Sequence, residues 1–143
     1  MNYPKVSIIV LTWNNYNDTR ECIESLGRIT YPNYEVIVVD NGSLDGSAQK
    51  IQSEFSKLKY IYNKENLGFT GGNNIGMKYA MENGTEFLLV LNNDVVVKED
   101  FLEPLVEDML NNKKIGIIGP IIYYYDESQK LFSNGEKSPF WIK

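Results

Sequence analysis

Short runs of Ile, Val and Leu alternate along this chain with longer stretches whose apolar residues recur every three or four positions, and that alternation constrains the fold more than any other feature. Val6 to Leu11, Glu35 to Val39 and Phe87 to Leu91 are nearly continuous apolar segments, the pattern of strands covered on both faces. Tyr60 to Tyr62 is a shorter third strand, and Ile115 to Ile118 and Ile121 to Tyr125 read as further strands. Between them, Asp18 with Glu21 fits a capping box ahead of the helical face Cys22, Ile23 and Leu26. Ala48, Ile51, Phe55 and Leu58 make a second helix, Ile75 to Asn83 a third with Gly84 as its C′ residue, and Phe101, Leu105 and Met109 a fourth, capped by Asp100 and Glu103. Strands alternating with helices predict an α/β chain: a mostly parallel central sheet with helices on both faces.

In such sheets ligands sit beyond the carboxyl ends of the strands. The unusual polar residues of this sequence fall there. Thr12, Trp13 and Asn14 end the first strand, and Asp40, Asn41 and Ser43 end the second. The loop NKENLGFTGGNN, holding Gly68, Gly71, Asn73 and Asn74, follows the third, and Asn92, Asn93 and Asp94 end the fourth.

Composition limits the chemistry. The chain has no histidine, which removes the commonest general base, the Ser-His and Cys-His arrangements and all His-ligated zinc. A net charge of −5 with scattered lysines argues against nucleic acid as a partner. The single Cys22 cannot form an internal disulfide; its neighbours place it in the core, and it fits a reducing compartment. There is no apolar span long enough for a membrane, and no leader-like segment before the first strand, so the expected location is cytoplasmic, at the inner membrane face in a longer protein.

Carboxylates, amides, backbone N–H groups and a hard cation remain. In an extended segment Asn92 and Asp94 point one way and Asn93 the other. One carboxylate with one amide oxygen is a weak site for Mg²⁺ or Mn²⁺, completed by water and a ligand's phosphates. Taken alone the triplet reads slightly better as a turn; the other strand ends reverse that in favour of the ligand. Trp13 is suited to stacking on a base or to a place in the core. Asp40 is placed to accept from a base N–H or a ribose hydroxyl, or to cap the loop after it. GFTGGNNIG supplies amides ahead of a helix N-terminus, a setting that favours anions, or is a loop needing positive φ values. No G-x-G-x-x-G follows the first strand and no P-loop occurs, so the expected ligand is a nucleotide-diphosphate compound held by an aromatic ring, an acid and a divalent metal.

The ordered set VSIIVLTWNN, VIVVDNGSLDGS, NLGFTGGNNIG and LVLNNDVVV resembles the inverting family 2 glycosyltransferases of GT-A fold, with the nearest resemblance to a rhamnosyltransferase-like branch. The resemblance implies that Thr12, Trp13 and Asp40 hold the donor's base. It also implies that Asn92 and Asp94 stand at the first and last positions of a D-x-D motif. The last acid there binds Mg²⁺ or Mn²⁺ with the diphosphate, and the first position contacts the ribose and phosphate region. Gly68 to Gly76 matches a loop that in many relatives reads G-x-x-x-A-R-N-x-G, with Asn73 in place of the arginine.

The same resemblance places the catalytic base in an acceptor-side half, expected beyond Lys143; Asp126, Glu127 and Glu136 read as surface charge. The expected organisation is a nucleotide-sugar-binding domain over residues 1–119 and the start of the acceptor half over 120–143, C-terminally truncated. The implied reaction is transfer of a sugar, with inversion, to a glycan or lipid-linked acceptor in cell-surface polysaccharide biosynthesis. The alternative is a non-catalytic sugar-nucleotide-binding module; a sugar nucleotidyltransferase would need a glycine-rich basic loop after the first strand, which TWNNYNDT is not. Apolar residues at Ile121 to Tyr125 and Phe140 to Ile142 predict a homodimer or an exchanged C-terminal segment.

Overall fold

The computed structural model describes residues 3–127 and 129–133. It divides into two compact units, one ending at Glu99 and the other starting at Asp100. The compact units part at 99/100, whereas the expected division of donor side from acceptor side lies at 119/120.

The first unit is an α/β layer structure. Its elements run β1 (Val6–Thr12), α1 (Tyr16–Leu26), β2 (Tyr34–Asp40), α2 (Ser47–Glu54), β3 (Lys59–Tyr62), α3 (Gly68–Glu82) and β4 (Phe87–Asn92). The four strands form one sheet in the order β3-β2-β1-β4, and every pairing is parallel. The expected architecture is therefore present. β1 and β2 are central and carry the core: Val6, Ile8, Ile9, Val10, Ile37, Val38 and Val39 are all essentially buried. Each such side chain contributes about 1.5–3 kcal/mol relative to leaving it in water.

Alternation along the strands sends the two sets of side chains to different helices. Ile9, Ile37 and Val39 pack with Ala80 of α3. On the opposite face Tyr60 donates its hydroxyl to the carbonyls of Ile51 (3.3 Å) and Phe55 (3.1 Å) at the end of α2. Thr12 meets Thr19 of α1 there.

Several local expectations are corrected. The glycine-rich stretch is helix rather than loop: α3 begins at Gly68, well before Ile75. Packing explains this. A Cβ on Gly72 would come within 2.4 Å of Leu11 Cδ1, and one on Gly76 within 2.7 Å of Ile9 Cγ2 and 2.9 Å of Val39 Cγ2. The bare face lets α3 lie close on β1 and β2, and that burial offsets a helix-propensity cost of about 1 kcal/mol per glycine. Among the described residues β4 is an edge strand, covered on one face rather than two, with Leu88 and Val90 each 38% exposed. Neither capping box forms: α1 starts at Tyr16, before Asp18, and α4 starts at Leu102 with no side-chain cap. Gly84 does follow the C-cap Asn83 with φ 76°, as expected of a C′ glycine.

In the second unit, α4 (Leu102–Asn111) buries Leu102 and Val106. Ile115–Ile118, an expected strand, has no regular structure. The other expected strand contracts to β5 (Ile122–Tyr123), paired antiparallel with β6 (Leu131–Ser133). Tyr124 and Phe132 meet edge to face at 5.3 Å. The residues Ile121 to Tyr125 are all exposed; Phe140 to Ile142 and Glu136 lie outside the described residues. Among the described residues, no helix is long and apolar enough to cross a membrane.

Candidate functional site

Because all four strands run the same way, the ends of β1, β2, β3 and β4 lie along one edge of the sheet. Register makes this specific: Thr12 pairs with Asp40, Asp40 with Tyr62, and Leu11 with Asn92. Paired residues in neighbouring parallel strands are about 4.8 Å apart and point to the same face, so Thr12, Asp40 and Tyr62 form one row.

Each residue of the row has a definite job in the fold. Thr12 is buried, and its Oγ1 lies 2.8 Å from Thr19 Oγ1. Thr19 commits its own proton to the Asn15 carbonyl, so Thr12 is the donor between the two hydroxyls. Both carboxylate oxygens of Asp40 accept from the Ser43 N–H, at 3.2 and 3.3 Å, so Asp40 does cap the loop that follows it. Tyr62, not singled out from sequence, is partly exposed beside Asp40. Burial first, then the Asp40 charge, push its hydroxyl pKa above the ordinary value. The signal that could have found it was its place as the last residue of the third strand.

Trp13 is 53% exposed, so it is not a core tryptophan. Its position is fixed on both sides, by buried Thr12 and by Asn14, which adopts a left-handed φ of 51°. Asn14 donates its backbone N–H to Ser43 Oγ (2.9 Å) and accepts the Leu44 N–H at Oδ1 (2.9 Å). The β1 end is thereby tied to the loop after β2.

Asn41, expected to touch the ligand, is buried and has its amide fully engaged within the chain. Gly68 opens α3 with φ 71°, and Gly71 sits against Leu67 in the first turn. Asn73 is 2% exposed and donates to the Phe69 carbonyl at 2.9 Å; its Oδ1 is buried without a hydrogen-bond partner among the described residues. Asn74 is exposed.

β4 ends at Asn92, and Asn93 and Asp94 form a turn rather than an extended continuation, although exposure still alternates. Asn92 and Asp94 are exposed, and Asn93 is half-buried with its Nδ2 donating to Thr19 Oγ1 at 2.9 Å. Two further bonds hold this segment on α1: Cys22 Sγ lies 3.7 Å from the Asn92 carbonyl, and the Val97 N–H donates to Ser25 Oγ at 3.2 Å. Cys22 is buried, and desolvation, with a smaller push from the Asp94 charge, raises its thiol to about 12. It is a core residue, not a nucleophile.

Among the described residues no group of three or more Cys, Asp or Glu could hold a metal ion unaided. Asp94 nevertheless fits a metal shared with a ligand. Its carboxylate is exposed, it makes no hydrogen bond or salt bridge within the described chain, and the Asn92 amide lies two residues away in sequence. Magnesium and manganese take one or two carboxylates in this way and fill their shells with water and phosphate oxygens.

Known proteins share both sequence and fold. Glycosyltransferase GlyG of Streptococcus pneumoniae is 28% identical over 130 residues, covering 89% of this chain and 42% of that protein. An uncharacterized glycosyltransferase of Haemophilus influenzae is 35% identical over 122 residues, covering 82% of this chain and 36% of its own length. The crystal structure of S. aureus TarS 1-349 superposes with a TM-score of 0.66 at 28% identity, over 76% of this chain and 33% of that one. The chain thus spans less than half the length of each relative. The sheet and helices match the GT-A architecture these enzymes share. The family profile described as Glycosyl transferase family 2 matches residues 7–141, nearly the entire chain, and the protein belongs to that family.

Proposed function

We propose that this chain forms the donor side of an inverting glycosyltransferase that uses a nucleotide-diphosphate sugar and Mg²⁺ or Mn²⁺. The observation that carries the reading is the parallel register, which ends β1, β2 and β4 along one edge of one sheet, with Trp13 directly after β1, Asp40 closing β2 and Asp94 two residues past β4. An exposed ring, a buried acid and an uncommitted carboxylate are the three chemistries such a donor needs.

In this reading Trp13 stacks on the base, and Asp40, whose oxygens keep capacity beyond the Ser43 N–H, accepts from the base or ribose. The first turn of α3 presents the backbone N–H groups of Phe69 through Gly71, a setting for phosphate oxygens, while the Gly68 N–H is taken by Asn66 Oδ1. Asn73, buried and bonded to the Phe69 carbonyl, helps hold this turn, and Asn74 is accessible beside it. Asp94 holds the divalent ion, with Asn92 next to it; the ion, when bound, neutralises charge on the departing diphosphate. Thr12, Asn14 and Asn93 keep these groups in place through their bonds to Thr19, Ser43 and Leu44.

The transfer forms a bond from an acceptor hydroxyl oxygen to the anomeric carbon and breaks the bond from that carbon to the diphosphate oxygen. The bonding pair leaves with the diphosphate, the acceptor's proton passes to a base, and the anomeric centre inverts. We assign that base to no residue described here. The rhamnosyltransferase-like branch, a glycan or lipid-linked acceptor, a role in cell-surface polysaccharide assembly at the inner membrane face, and self-association through the exposed Ile121 to Tyr125 run belong to the same reading.

Titration calorimetry with UDP, dTDP and GDP, with and without Mn²⁺, tests it. Metal-dependent binding of one nucleotide is expected, and binding of none would leave only the fold. Light scattering at rising concentration checks self-association, which a monomer throughout would contradict.

A further inference from the structure

The side chain of Asn41 makes four hydrogen bonds, as many as an amide has sites for. Its Nδ2 donates to Asn66 Oδ1 at 2.8 Å and to the Gly68 carbonyl at 3.2 Å. Its Oδ1 accepts from Asn63 Nδ2 and from the Leu67 N–H, both at 3.1 Å. Two of these partners are backbone groups of fixed polarity, one acceptor and one donor. They settle which way the amide faces, which an all-side-chain network would leave open. Asn66 Oδ1 also accepts the Gly68 N–H at 2.8 Å, so both asparagines converge on the residues that begin α3.

The backbone beside Asn41 is fitted to the same segment. Gly42 has φ 79°, and a Cβ there would come within 2.8 Å of the Glu65 carbonyl carbon. Asn41 is also bonded at its own N–H to the Thr12 carbonyl, 2.9 Å away, and directly follows Asp40. One buried amide thus connects the ends of β1 and β2 to the loop after β3 and to the first residues of α3.

We infer that Asn41 is a positioning residue: with Asn66 it latches the N-terminus of α3 at a fixed distance from Asp40 and Trp13, so that base and phosphate subsites keep one spacing. This rests on the donor-site reading above and deepens it, because a ligand joining a base to a diphosphate is bound well only if both subsites stay in register. The chemistry singles out asparagine at 41. Aspartate keeps the two acceptor contacts but loses both donors, and sets a carboxylate oxygen against Asn66 Oδ1 and the Gly68 carbonyl.

The test measures two quantities on the chain: amide hydrogen exchange at Leu67 and Gly68, and nucleoside-diphosphate affinity with Mn²⁺ by calorimetry. Asn41→Asp and Asn41→Ala should speed exchange at both amides and weaken the nucleotide about tenfold. Because Asn41 is buried, the exposed Asn66 supplies a milder pair: Asn66→Ala should produce the same direction of change, and Asn66→Asp, which retains the accepting oxygen, should restore slow exchange and affinity. Unchanged exchange in Asn66→Ala overturns the latch whatever the affinity does. Faster exchange with unaltered affinity overturns its role in donor binding. A wild-type chain that binds no nucleotide overturns the donor-site reading instead, and exchange still decides the latch by itself.

Discussion

Asn93 and Thr19 are joined by a 2.9 Å hydrogen bond that links the end of β4 to the first turns of α1. Thr19 Oγ1 accepts from Asn93 and from Thr12 and donates to Asn15, so one buried hydroxyl ties two strand ends to a helix. Thr19→Val keeps the shape and removes the hydroxyl, leaving the Thr12 hydroxyl and the Asn93 amide without their partner. Leaving buried polar groups unpaired costs about 1–3 kcal/mol. Urea denaturation should show a lower midpoint with an unchanged slope; an unchanged midpoint would mean water replaces the hydroxyl at no cost.

Gly72 and Gly76 should respond differently to alanine. At Gly76 the new methyl meets Ile9 and Val39, both fully buried and β-branched, with little rotameric freedom. Overpacking of this kind costs about 1–3 kcal/mol, more than the gain of about 1 kcal/mol in helix propensity. At Gly72 the severe obstruction is the end of the partly exposed Leu11 side chain, which can turn aside, with a milder one at 3.3 Å from Asn41 Cγ. Thermal melts should therefore rank wild type above Gly76→Ala, with Gly72→Ala closer to wild type.

Alkaline pH should weaken the fold. Cys22 and Tyr60 are each raised to about 12 in the folded chain, Cys22 first by burial and Tyr60 first by burial and then by Tyr62. A group whose acid form is favoured by folding contributes stability that is complete below its unfolded value, near 9 for the thiol and 10 for the phenol. That contribution is lost as pH climbs toward 12. Stability measured by denaturant should be flat near neutrality and fall from about pH 9 upward. In the native chain Cys22 should resist iodoacetamide at pH 8 and react once urea unfolds it.

Much of the fold could be read from the chain because continuous Ile and Val runs are an unambiguous local signal. Val6–Leu11 and Glu35–Val39 fall inside β1 and β2. What the residues could not convey was set by tertiary contact. Phe87–Leu91 looks as buried as the central strands, yet only the strand order reveals it as an edge. Gly68, Gly71 and Gly72 read as loop because what holds this stretch in a helix is tertiary: Leu11, far away in sequence, lies close against Gly72.

The placement of the candidate residues was legible at the same level. Parallel strands guarantee that Thr12, Asp40 and Asn92 finish on one edge, so their neighbourhood followed from topology. Their individual bonding did not. Nothing local to Asn41 announces that Asn63, Asn66, Leu67 and Gly68 consume its amide, and nothing local to Asn93 points to Thr19.

The most direct test of the central claim is calorimetric titration of the preferred nucleoside diphosphate into wild type and Asp94→Asn, each with and without Mn²⁺. Asp94 is exposed and unpaired, so its replacement should leave the melting temperature unchanged. The account predicts that Mn²⁺ tightens binding to the wild type by about tenfold or more and has little effect on the variant. Equal enhancement by Mn²⁺ in both proteins would contradict it.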